Sequence, residues 1–188
     1  MSRSLSSSQL SDPITSLLGS PSLWQDEDPD QFDELMAALT AEFSPATAYE
    51  RILVRNISEL QWDMLRHRRL QKTLLRRQIA KVAALILQGP PDMPFDLGLV
   101  SPEYEAMGRA LVGPDPAARQ KTEVRIEAAG HGIDEIVSEA YQQVAGEIAR
   151  HEQRLAALIE ERRGLREELE MLQKRRRPMP PEAELAAE

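Results

Sequence analysis

VSEAYQQVAGEIARHEQRLAALIEERRGLREELEML, residues Val137–Leu172, is the stretch whose reading decides the fold. Steps of four and three residues in alternation place Val137, Tyr141, Val144, Ile148, His151, Leu155, Leu158, Arg162, Leu165, Leu169 and Leu172 in one row. This is the 3.5-residue spacing of a coiled-coil seam, interrupted by His151 and Arg162. Between the row positions lie Glu147, Glu152, Arg154, Glu160, Glu161, Arg163, Arg166, Glu167, Glu168 and Glu170, charges of both signs that stay in water. One long helix satisfies both observations, and its apolar row needs a cover. The candidate interaction seam is therefore Val137, Tyr141, Val144, Ile148, Leu155, Leu158, Leu165, Leu169 and Leu172.

A second helix of similar length lies upstream. Ser44-Pro45 is a start signal, and no Pro or Gly follows until Gly89, so the pattern predicts a helix over 45–88. Its apolar face carries Tyr49, Ile52, Leu53, Ile57, Leu60, Met64, Leu74, Leu75, Ile79, Val82, Leu85 and Ile86. Gly89-Pro90-Pro91 and Pro94 end it. Shorter helices are expected over 28–43, where Asp28 caps, Pro29 takes the first position and Gln31 completes a capping-box spacing, and over 102–112 and 116–129. After a break at Gly130-His131-Gly132 the long seam helix runs over 133–177. Two long helices of nearly equal length, joined by enough chain to turn back, predict an all-α fold: a long antiparallel, coiled-coil-like hairpin with short capping helices. Residues 26–177 form the expected helical domain. Residues 1–25, with nine serines, and 178–188 are expected as disordered tails.

Composition narrows the function. Hydrophobic residues make up 41% of the chain but aromatics only 4%, which suits packed long helices with a thin aliphatic core. There is no cysteine, so disulfides, thiol nucleophiles and Cys-containing zinc sites are excluded. The longest unbroken apolar run, Val82 to Leu87, is far short of the roughly 20 residues of a transmembrane helix. No apolar segment of signal-peptide type follows Arg3, and a cytoplasmic location is the expectation. Gly-rich phosphate loops, nucleophile elbows and His-Glu-x-x-His pairs are missing from the sequence, so no enzymatic activity and no cofactor are expected.

The net charge of −8 hides strong segregation. Arg66, Arg68, Arg69, Lys72, Arg76, Arg77 and Lys81 put seven cations into sixteen residues without an acid. At 100° per residue they make a basic amphipathic helix and a candidate phosphate-binding face. Three readings stand beside one another: a partner for the acidic Asp26–Glu34 segment or the Glu-rich last helix, a nucleic-acid site, and an anionic lipid surface. A second basic run, Lys174 to Arg177, complements the negative end of the helix dipole. Among the three histidines, His67 and His151 fall near the middles of the two long helices, where an antiparallel arrangement would set them face to face. They are expected as satisfied polar residues at the core edge, with no metal site, and a pH-sensing or metal-binding pair is the alternative.

Two blocks resemble a widespread group of bacterial helical proteins. The first runs from Asp28-Pro29 through Phe32, Leu35, Leu39, Phe43, Pro45, Glu50-Arg51, Leu53-Val54 and Ile57 to Trp62–Arg69. The second takes in Ile133–Val137, Glu160–Arg163 and Leu165-Arg166-Glu167. Members look like a short acidic helix, a Trp/Arg-rich long helix and a C-terminal coiled segment ending in Arg-rich turns. The Asn/His/Gly-containing N-terminal stretch common in them is not evident here. The resemblance implies that architecture and a bacterial, intracellular setting, and it brings no activity, cofactor or catalytic residue. The expectation is a non-enzymatic structural or interaction protein that packs through its helices onto a protein partner or itself. The alternative is a nucleic-acid-binding accessory protein using the basic face.

Overall fold

The computed structural model describes residues 22–89 and 100–176. Among them are five helices and no strand: α1 Pro29–Phe43, α2 Ala48–Gln88, α3 Pro102–Leu111, α4 Pro116–Ala128 and α5 Ile133–Arg176. The all-α expectation holds. The expected tails lie outside the described residues, except for 22–25 at the end of the first.

The starts of the helices follow their local chemistry. Asp28 accepts a hydrogen bond from the Asp30 amide at 3.0 Å with Pro29 at the first position, and Asp115 does the same for Ala117 at 2.9 Å ahead of Pro116. Helix α2 begins three residues later than the Ser44-Pro45 signal predicts. Thr47 and Glu50 form a capping box: Thr47 Oγ1 accepts from the Glu50 amide at 3.1 Å, and Glu50 Oε2 accepts from the Thr47 and Ala46 amides at 3.3 and 2.6 Å. Ser44 serves the end of α1 instead, left-handed at φ +46° with its amide on Thr40 O. Helix α4 ends in a Schellman turn, with Gly130 at φ +87° and the amides of Gly130 and His131 on Glu127 O and Ile126 O. The break expected at Gly130-His131-Gly132 is this turn.

The chain divides into two compact units, Met1–Met64 with Ala157–Glu188, and Leu65–Ala156. In the first, α1, the start of α2 and the end of α5 enclose Leu53, Val54, Ile57 and Leu169, with Leu39, Phe43, Leu165 and Leu172 around them. Phe32 meets Trp62 edge-on at 5.7 Å between ring centres. Leu23, at the edge of the expected tail, lines a small cleft with Phe32, Glu59 and Trp62. Tyr49 donates to Glu168 at 2.7 Å and Arg162 donates to Gln61, so the two long-helix segments run in opposite directions within this unit.

In the second unit α3 and α4 pack with α2 and α5 around Val82, Ala83, Leu111, Ile126, Ile136 and Ala140. Small residues bring backbones together here. A Cβ on Gly108 of α3 would collide with Ala80 O of α2 and lie 3.2 Å from the Ala84 Cβ. The contacts His67–His151, Gln71–Ile148 and Gln78–Gln143 again run in opposite senses along α2 and α5.

Candidate functional site: the basic face of helix α2

The core of the second unit sets the orientation of α2. Leu75, Ile79, Val82 and Ile86 pack inward, and the basic residues are left on the remaining surface. Arg68, Arg69, Lys72, Arg76, Arg77 and Lys81 are exposed, and Arg66 is half-buried. They do not all stand alike. Arg76 donates to the carbonyl of Val112 at the end of α3, so it helps tie α3 to α2. Arg66 and Arg69 have interactions of their own. Arg68, Lys72, Arg77 and Lys81 make no ion pair among the described residues. Arg68 and Lys72 are one turn apart, as are Arg77 and Lys81; the four extend about 20 Å along the helix at 1.5 Å per residue, and at about 100° per residue the second pair points to the opposite side of the helix from the first. Two pairs of cations without an ion pair, set on different sides of one helix, can each meet anionic groups without closing around any one of them.

The seam residues separate into three groups. Val144, Ile148, Leu158 and Leu169 are buried, and Val137, Leu155, Leu165 and Leu172 are half-buried. Tyr141 is 47% exposed, while its neighbour Ala140 and Ile136 are fully buried. Between Ile136 and Ile148 the buried positions follow each other every four residues, and the alternating four-three rhythm takes over only beyond Ile148. Alanine contributes little to a hydrophobic row, and the row passed one residue to its side. Arg162, the polar member of the row, is half-buried and held by Gln61.

Other polar groups occupy the first unit. The carboxylate of Glu50 is buried, and Arg176 Nη1 reaches it at 2.9 Å. The Ala46 amide above all, with the Thr47 amide and Arg176 beside it, holds the Glu50 carboxyl below its ordinary range in spite of burial. The hydrogen bond from Tyr49 to the Glu168 carboxylate raises the phenol above its ordinary value. Arg176 belongs to the second basic run, and its engagement with Glu50 adds a tertiary role to the dipole one. Arg177 lies outside the described residues. Glu50 stands four residues before Val54 in a long helix, and the Thr47-x-x-Glu50 spacing was the signal that could have found it.

His67 and His151 meet within the second unit, with their Nδ1 atoms 2.9 Å apart. His131 lies apart from them and pairs with Glu135 at 3.3 Å. No cluster of three or more His, Asp or Glu suited to a metal ion occurs among the described residues. No described helix is long and apolar enough to cross a membrane.

No family model matches the chain, and neither a curated protein nor a solved structure does. That agrees with a resemblance confined to a group without an established function.

Proposed function

We propose that this protein is a non-enzymatic, cytoplasmic interaction protein of bacterial type that works through helix packing, and that its basic α2 face takes nucleic-acid phosphates. The observation that carries the phosphate reading is the set Arg68, Lys72, Arg77 and Lys81: exposed cations on one helix, with no acid paired to them among the described residues. An intrachain role for this face would call for such pairing. A lipid surface fits less well. A basic amphipathic helix binds membranes by burying its apolar face, and the apolar face of α2 is used in the core, leaving Leu65 and Leu85 as its exposed large apolar residues on that stretch.

The test is charge reversal at the four residues, Arg68→Glu, Lys72→Glu, Arg77→Glu and Lys81→Glu. Arg76, which holds α3, and Arg69, which has other interactions, stay intact. Binding to mixed-sequence DNA and RNA, read by fluorescence anisotropy at low salt, should fall at least 100-fold while the helical circular dichroism is unchanged. Undiminished binding by the folded variant would remove this face as the site.

A second reading, self-association through helical surfaces, is supported by exposed apolar side chains on α5, among them Tyr141, Ile159 and Met171 at 47%, 41% and 52%. Sedimentation over a range of concentrations measures it directly. A mass that stays that of one chain at every concentration would count against it.

A further inference from the structure

We infer that His67 and His151 form a proton-operated contact that fastens α2 to α5 within the second unit and releases when both rings are charged. The phosphate-binding reading plays no part in this inference. The two Nδ1 atoms lie 2.9 Å apart, with ring centres at 5.2 Å and ring planes at 61°. That distance is a hydrogen bond, and it dictates the protons. One Nδ1 carries a hydrogen and donates it; the other presents a bare lone pair and accepts. Two neutral rings meet this requirement, and so does a pair holding one extra proton. A pair holding two does not, because both Nδ1 atoms then carry hydrogens and two positive rings face each other.

The position makes the bond matter. Both histidines are half-buried, and each stands in the inward row of its helix. The adjacent cross-helix contact, Gln71 to Ile148 O, is long at 3.5 Å, so the imidazole pair is the shorter polar link at this level. Charged groups within about a turn are Asp63, Arg66, Arg68 and Arg69 on α2, and Glu147, Arg150, Glu152 and Arg154 on α5. Helix α3 meets α2 at Arg76, Ala80 and Ala84, two turns or more from His67. Of the charged groups, Asp63, one turn before His67, is half-buried, Glu147 and Glu152 are exposed, and Asp63, Arg66 and Arg69 have interactions of their own.

The experiment compares thermal unfolding at pH 8 and pH 5, followed by circular dichroism, for the natural protein and for the double variant His67→Gln, His151→Gln. Two glutamines can bond across the helices at either pH. The natural protein should lose about 3 °C or more in midpoint beyond what the variant loses over the same interval. A His131→Gln variant, which leaves the pair intact, should keep the full acid loss. Equal losses in the natural protein and the double variant would overturn the proposal. Histidine ¹⁵N chemical shifts of the natural protein give a second reading if the double variant does not fold. At pH 8 they should report one Nδ1–H and one bare Nδ1 in the pair, and two bare Nδ1 atoms would refute the contact.

Discussion

The first unit is closed by large side chains, and the second adds small ones at its helix crossings to a core of Val82, Leu111, Ile126 and Ile136. Around Phe32, Trp62, Ile57, Leu158 and Leu169 the helices of the first unit are spaced by aromatic and leucine side chains. In the second, Ala83, Ala84, Ala140 and Gly108 are buried, and α3 approaches α2 closely enough that a glycine must stand at the crossing. Both solutions exclude water, but they fail differently. A unit spaced by leucines suffers when a side chain is removed or charged, and a unit spaced by alanine and glycine suffers when one is added.

The sharpest way to break this contrast uses two residues that the sequence put in the same row. Leu158→Asp places a carboxylate at a fully buried position and should cost more than about 4 kcal/mol, enough to abolish a cooperative thermal transition. Tyr141→Asp, on a side chain that is 47% exposed, should change stability by about 0.5 kcal/mol or less. Equal effects would mean that the heptad row and not the observed burial describes α5.

Next in size is the glycine crossing. Gly108→Ala should destabilise by about 1–3 kcal/mol because α3 must move off Ala80. The same change at Gly164, around which a Cβ meets nothing within 4 Å, should stabilise by about 0.5–1 kcal/mol through helix propensity. Denaturant midpoints of the two variants should therefore move in opposite directions.

The third contrast concerns the cap of α2. Glu50→Ala should cost about 1–2 kcal/mol, the usual worth of a capping side chain. Its carboxyl is held below its ordinary range. The stability it contributes is thus fully present above the ordinary carboxylate value of about 4.3 and is lost as pH falls through the lowered value. Acid titration of unfolding should show a shallower loss below that point in Glu50→Gln than in the natural protein. Parallel curves would assign the acid sensitivity elsewhere.

These contrasts also show what could be read from the sequence. Helix number, order and most boundaries followed from Asp28-Pro29, Pro102, Asp115-Pro116 and the glycines at 89 and 130, because caps and breakers act over one turn and need no tertiary information. Leu158 and Leu169 were legible for a similar reason: a large apolar residue at a regular interval has few uses other than burial. The Ala140 and Gly108 positions were not, since a small side chain carries almost no hydrophobic signal and its value lies in what approaches it. Likewise, the sequence gathered seven cations on one helix but did not distinguish Arg76, which holds Val112, from Lys72, which makes no such link. That distinction needs α3 in place.

The basic face as a phosphate site is the central functional claim, and its most direct measurement is the affinity of the natural protein for duplex DNA and for RNA over a salt series. Four phosphates neutralised by Arg68, Lys72, Arg77 and Lys81 predict, for duplex DNA, a slope of log affinity against log salt near −3.6, about −0.9 for each, and a loss of roughly 100-fold between 50 and 200 mM. No binding at the lowest salt, or binding that does not change with salt, would contradict the claim.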